Sequence, residues 1–392
     1  MKNEYIIMHL NHPVMAVLLN DKYKIYSIQK IFNKERVFPG LETPGLDNDT
    51  LNNWLFSRGI PAKRNELEDI LQINNVSSRE ELIIKNYGLG LTDNYWIQKE
   101  HENLHWENIN FWENKFTQEN EDIYLGHTPD NFYTQENIEN NLITPNNVSS
   151  GMLPKKWKEF DGKLYMIKGA DITYQEPFNE QIISQYLYAL SIQHVPYELY
   201  WHKELPYSKC PIMLQKGEEL IHASYIHNIN KQDNNTSNFE HYIRQCVSLG
   251  LPNEIRKELE NMILVDYLSA NTDRHYSNFG IIRDSETLRI KQLAPLYDHG
   301  AAMYTKYPTR LIPASLQTLR CRSFRNTQWD NIKLVKDFSL LENKDILILP
   351  DLIQKAYNEE YVDKDRKNVI IDSVYKRILD AVQRNPHSKN VY

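Results

Sequence analysis

The chain opens with two short apolar runs, Tyr5 to Leu10 and Val14 to Leu19, broken at Asn11-His12-Pro13, and then alternates from Lys22 to Ile28. Period-two alternation around such a break predicts a small antiparallel sheet. Leu51 to Arg58 and Arg64 to Leu71 carry apolar residues three and four apart, one face of a helix each, with Gly59 and Pro61 between them. Residues 92–145 are rich in Asn, Glu, Trp and Tyr and poor in aliphatics. That composition predicts an irregular connecting region whose Trp96, Trp106 and Trp112 pack against a neighbouring lobe.

A second pattern begins at Asn146. A turn at Asn147 to Gly151 precedes a strand at Lys163 to Lys168, a helix opened by Pro177 and running to Leu190, and strands at Val195 to Tyr200 and Cys210 to Leu214. This succession predicts a small antiparallel lobe with one helix. Beyond it the period turns helical, at 239–248, 252–270, 334–341, 351–356 and 364–384. The interruption at 271–303 holds two short strands, 280–282 and 288–290, around a polar turn. The expected class is therefore α+β and bilobal: an N-terminal α+β extension with its connecting region at 1–140, a small antiparallel β lobe at 141–215, and a mainly helical lobe at 216–392.

Composition narrows the classes. The 392 residues exceed one ordinary domain, and 41% hydrophobic with 25% charged residues is the balance of a folded chain rather than a disordered one. A formal charge of -7 gives no basis for general nucleic-acid binding. Cys210, Cys246 and Cys321 share no ligand-type spacing, so neither a disulfide framework nor a zinc site is expected. The N-terminus lacks the basic and apolar segments of a secretory signal, and no run approaches transmembrane length. A cytoplasmic location without a membrane partner is the expectation.

The chemistry concentrates in Asn271-Thr272-Asp273-Arg274-His275-Tyr276-Ser277-Asn278, directly after an apolar helix, and in Pro295-Leu296-Tyr297-Asp298. Phosphoryl transfer needs a carboxylate to take the acceptor's proton and hard oxygen ligands to hold magnesium against phosphates. Asp273 suits the first task; Asn278, five residues on, and Asp298 suit the second. Singly, each reads more readily as a cap or turn residue than as a functional one; their joint spacing reverses that and favours chemistry. His275 reads as structural, and Arg274 as the partner of a local carboxylate ahead of a phosphate. Lys168, at a strand end, is the candidate cation for ATP phosphates, oriented by Glu180 twelve residues downstream. Asn147 to Met152, including Ser149, Ser150 and Gly151, is positioned to arch backbone amides over phosphates. Lys155, Lys156 and Lys158 read as a solvated basic turn or as further phosphate attraction. Ile212 and Met213, within Cys210 to Gln215, occupy the connection between lobes where adenine is read. ATP and Mg2+ are the cofactors this set implies.

On these residues the sequence resembles the HipA-like kinases, bacterial serine/threonine kinases that often act as toxins in toxin-antitoxin modules. The resemblance is carried by Thr272-Asp273-Arg274-His275 with Asn278-Phe279, and by Leu293-Ala294-Pro295-Leu296-Tyr297-Asp298, within about residues 145–305. It implies a bilobal protein-kinase-like fold, a catalytic Asp at Asp273, magnesium ligands at Asn278 and Asp298, and an ATP contact at Lys168. Ser149-Ser150-Gly151 resembles the loop in which such kinases autophosphorylate, although the family's loop is richer in Gly. The resemblance also implies a protein substrate with an acceptor Ser or Thr and a helix-turn-helix antitoxin as partner. Asp-Arg-His-x-x-Asn is similar to the catalytic loop of phosphatidylinositol kinases as well. A small-molecule, lipid or nucleic-acid kinase using the same residues, and a non-catalytic pseudokinase regulator, therefore stand beside the leading reading.

Overall fold

A computed structural model of the chain describes residues 3–42, 45–116, 121–127, 143–312 and 315–385. Its architecture is α+β, with antiparallel sheets and mainly helical structure towards the C-terminus. The first sheet contains β1 (Glu4–His9), β2 (His12–Leu19), β3 (Ile25–Ile31) and β4 (Tyr95–Lys99), in the order β3-β2-β1-β4. The alternation of the opening residues sends Ile7, Val17 and Ile25 into the core. Strand β4 lies inside the stretch that composition marks as irregular. It is a strand because Tyr95, Trp96 and Ile97 supply the aromatic and β-branched bulk that a pleated, buried surface favours. Each of the three is 1% exposed. Trp96 and Trp106 pack with Met8, Leu10 and Trp157, the packing expected of them. Helices at Asn48–Ser57 and Arg79–Lys85 begin on Asp47 and Ser78, whose side chains accept from the backbone N–H of Thr50 and Glu81.

The second sheet contains β5 (Lys155–Phe160), β6 (Lys163–Lys168), β7 (Glu198–His202) and β8 (Leu205–Pro211), in the order β5-β6-β8-β7. The Gln175–Ala189 helix buries Phe178, Ile182, Ile183, Tyr186 and Leu187. The Lys-rich stretch read as a basic turn is strand β5. Lys155 stands opposite Lys168 in the register. Lys156 is 1% exposed, its ammonium meeting Asp122 at 3.2 Å, so burial of its stem is compensated at its tip.

The third sheet contains β9 (Glu218–His222), β10 (Gly280–Asp284) and β11 (Ile290–Leu293), in the order β11-β10-β9. The Ile255–Leu268 helix is buried on nearly every side near its end, with Asp266 its one charged residue there. Met262, Ile263, Leu264, Val265, Tyr267 and Leu268 are all buried. A fully buried aliphatic side chain contributes about 1.5–3 kcal/mol relative to exposure, so this helix is a rigid post for whatever follows it.

A buried charge network locks the first sheet onto the third. Glu219 accepts from His9 Nε2 at 3.1 Å and pairs with Arg283. Arg283 also donates to the Tyr95 hydroxyl at 3.0 Å, and Arg36 donates to the Ser285 carbonyl at 3.1 Å. Among the described residues no helix is long and apolar enough to cross a membrane.

Candidate active site

The post ends at Leu268, and Ala270 adopts a left-handed φ of 53° that turns the chain out into the 271–278 loop. Backbone bonds fix the loop's base: Met303 N–H donates to the Ser269 carbonyl at 2.8 Å, and Thr272 N–H to the Ala301 carbonyl at 3.4 Å. Its centre is held by Arg274, whose guanidinium is 1% exposed. That group donates to both Asp266 oxygens, at 3.0 and 3.1 Å, and its Nη1 donates to the carbonyls of Asn278 at 2.7 Å and Tyr297 at 2.5 Å. One planar fork thus ties the loop to the helix before it and to the residue preceding Asp298. Arg274 does pair with a local carboxylate. His275 accepts from Ser277 N–H at 3.2 Å, and burial lowers its pKa.

Lys168, Glu180 and Asp298 form one cluster. The Lys168 ammonium donates to Glu180 Oε1 at 2.9 Å and is in ion-pair contact with Asp298. Glu180 is fully enclosed, and its second oxygen accepts from His299 N–H at 2.9 Å. Burial would push Asp298 up, but Lys168 overrides it and holds the carboxyl well below the usual range. Burial wins at Glu180, whose pKa is raised. The two carboxylates share one ammonium, and Asp298 itself sits at a left-handed φ of 59°.

Asp273 faces the opposite way in charge. Its Oδ2 is 2.8 Å from Lys306 Nζ and its Oδ1 3.0 Å from Arg322 Nη1. Burial raises its pKa, and these two cations overcome that and lower it, so the carboxyl is ionised. Asn278 Nδ2 donates to the Asp273 carbonyl at 2.8 Å, which commits the amide nitrogen and leaves the amide oxygen for a ligand.

The proposed phosphate loop is less uniform. The Ser149 hydroxyl is buried and donates to the Asn146 carbonyl at 2.9 Å, whereas Ser150 is exposed. Gly151 has φ +102°, and a Cβ there would run into Lys155 Nζ. The turn therefore closes directly over the Lys155 ammonium. Burial and the neighbouring Lys168 charge pull the Lys155 pKa down to about 7. Lys155 is the basic residue of this stretch that the site gathers in; Lys156 turns away to Asp122. Ile212 and Met213 follow β8 and pack with Met166, Cys210, Leu220, Ile282 and Ala294 in an apolar cluster between the second and third sheets.

The sequence reading missed Lys306 and Arg322, which lie 33 and 49 residues from the carboxylate they meet. Asp266, the partner of Arg274, was hidden in an apolar helix. A cavity of about 430 Å³ lined by Pro39, Ile226, Leu249, Leu288 and Ile290 shares no residue with this site.

No protein-family model matches the sequence, and no curated protein sequence does. Solved structures do. HipA of the Shewanella oneidensis MR-1 toxin-antitoxin system, determined with HipB and operator DNA, aligns with 99% of this chain and 100% of its own at a TM-score of 0.58 and 12% identity. The Helicobacter pylori proinflammatory kinase CtkA aligns with 58% of this chain and 94% of its own at 0.40 and 18% identity. Choline kinase LicA from Streptococcus pneumoniae aligns with 59% and 92% at 0.21 and 13% identity. The alignment with HipA runs the whole length of both chains, and it carries the conclusion: this chain has a HipA-like kinase fold.

Proposed function

We propose that the protein is an ATP- and magnesium-dependent kinase that phosphorylates Ser or Thr of a protein acceptor. The observation that carries the reading is the joint placement of three elements. Lys168 bridges Glu180 and Asp298, while Arg274 holds the Asp273 to Asn278 loop against Tyr297, next to Asp298. Lys168 would hold phosphate, with Lys155 beneath the Ser149-Ser150-Gly151 turn as a second cation. Ile212 and Met213 would border adenine. Asn278 and Asp298 offer an amide oxygen and an ionised carboxylate, the hard donors magnesium takes, and one guanidinium ties the backbone at Asn278 to that at Tyr297, next to Asp298. Bound there with ATP, magnesium supplies neutralisation of phosphate charge. Asp273 would orient the acceptor hydroxyl and receive its proton; in such loose transition states orientation matters more than base strength.

Asp273→Asn removes the proton acceptor and weakens two ion pairs whose cations are exposed. Such pairs contribute about 0–1 kcal/mol, so the fold should persist. Transfer from labelled ATP to protein should fall about 10²- to 10⁴-fold, the usual contribution of a general base. Incorporation equal to wild type would overturn the assignment. Peptide, lipid and RNA acceptors in the same experiment decide the acceptor class. A toxin role with a helix-turn-helix antitoxin belongs to the same reading, supported by the fold shared with a protein solved alongside HipB. Growth arrest on induction, absent with Asp273→Asn and relieved by a co-expressed partner, is its test.

A further inference from the structure

From Gly300 to Trp329 the chain has five cationic residues, Lys306, Arg310, Arg320, Arg322 and Arg325, and no Asp or Glu, within a protein of formal charge -7. All five are exposed. Two of them converge on Asp273, one on each carboxylate oxygen. Their attachment points are fixed by the scaffold. Arg322 N–H donates to the carbonyl of Thr272, the residue before Asp273, at 3.0 Å. Lys306 follows Thr305, a buried residue whose hydroxyl accepts from Asn179 at 2.6 Å. The cationic tips are nonetheless open, with side chains 58% and 70% exposed for Lys306 and Arg322. Ion pairs this exposed add little stability, so the fold gains almost nothing from stacking two of them on one carboxylate.

The arrangement constrains what reaches the base. Each Asp273 oxygen already accepts from one cation, so an acceptor hydroxyl that reaches a remaining lone pair of the carboxylate comes in beside Lys306 and Arg322, which then face the flank of the acceptor. An anionic flank gives those cations a further partner. A neutral flank offers none, and a basic flank repels them. We propose that Lys306 and Arg322 form an acceptor-side anion site, selecting protein segments in which the Ser or Thr hydroxyl stands beside an acidic or phosphorylated side chain. The inference rests on the phosphotransfer reading above. In the step it serves, the acceptor oxygen bonds to the γ-phosphorus as the bond to the β,γ-bridging oxygen breaks. ADP keeps that electron pair, and the hydroxyl proton passes to Asp273.

Two measurements test it. In the first, Ser peptides differing only in flanking Glu, phosphoserine, Gln or Lys are offered with labelled ATP and magnesium. Glu or phosphoserine flanks should raise kcat/KM about tenfold over Gln, and the ratio of Glu to phosphoserine tells which anion the site takes. The Lys306→Gln/Arg322→Gln double variant should lose the preference through KM. In the second, an alanine peptide with one phosphoserine and no acceptor hydroxyl is titrated calorimetrically into the intact protein and the double variant, with binding about tenfold weaker in the variant. Equal use of all flanks, a preference that survives in the double variant, or a phosphopeptide that fails to bind or binds both proteins alike would overturn the anion site. If no flank yields phosphorylation, the Ser/Thr reading falls, and the titration alone decides the anion site.

Discussion

Replacing Arg274 with Lys tests whether one guanidinium holds the two halves of the site together. Arg274 serves four buried acceptors, the two Asp266 oxygens and the carbonyls of Asn278 and Tyr297. A Lys ammonium keeps the charge, and so the Asp266 pairing, but it is a point donor at the end of a flexible stem and cannot span the fork. At least the two carbonyls lose their partner. A buried acceptor left unsatisfied costs about 1–3 kcal/mol, so the pair gives about 2–6 kcal/mol against a total stability of about 5–15 kcal/mol. Urea titration should therefore show a lower midpoint at an unchanged slope, the sign of lost stability without a change in exposed surface. In conditions where the variant is still folded, phosphate transfer should fall about 10²-fold, because freeing the loop from Tyr297 displaces Asp273 and Asn278 relative to Asp298 by an ångström or so. A variant within about 0.5 kcal/mol of wild type, with full transfer, would show that the two carbonyls find other donors and that the fork is not what registers the loop.

Two further outcomes concern charges away from the loop. Burial raises the Glu219 pKa, but His9 and Arg283 override it and bring it down to about 2. A folded value below the unfolded one near 4.5 means that its stabilisation is complete above about pH 4.5 and is lost as pH falls towards 2. Glu219→Gln should lower stability at pH 7 by about 3–5 kcal/mol, the penalty for leaving a buried cation unpaired, and should flatten the acid limb of the urea-midpoint profile. An unchanged limb would exclude Glu219 as its source. Lys155→Met should weaken Mg-ATP binding about tenfold by calorimetry. The thermal midpoint should stay level or rise, because a pKa pulled down to about 7 marks a cation the fold disfavours. A fall of several degrees would mean that Lys155 supports the fold instead.

Why some of this was legible in the sequence and some was not follows from where the interactions close. Asp273 and Asn278 share one polar loop at the end of a buried helix, so sequence distance and spatial distance agree. Lys168 and Glu180 stand on adjacent elements, a strand end and the next helix, and their 2.9 Å contact needs only that these elements pack. Lys306 and Arg322 reach Asp273 through folded backbone tethers at Thr272 and Ser269, which no periodicity records. Glu219 carries no sequence signal of its role, because its partners come from residues 9 and 283 and the strand it occupies is short. Strand β4 was discounted for lacking aliphatics, although Tyr95 and Trp96 bury more surface than the aliphatics would. Strand β5 is masked by its lysines, whose tips go to different places: Lys156 to Asp122, Lys155 to the turn at Gly151 and Lys158 over the Phe160 ring.

The shared ammonium of Lys168 has a consequence for the order of assembly. It has three donor hydrogens, and Glu180 and Asp298 already engage two of them. Lys168 is in this sense a resident counter-ion at the carboxylate proposed for the metal. A divalent ion arriving alone would have to share that carboxylate with the ammonium, cation beside cation; nucleotide phosphates arriving with the ion would place negative charge between the two. Metal and nucleotide would then each strengthen the other's binding by the same factor, with Lys168 as the element through which the two are coupled.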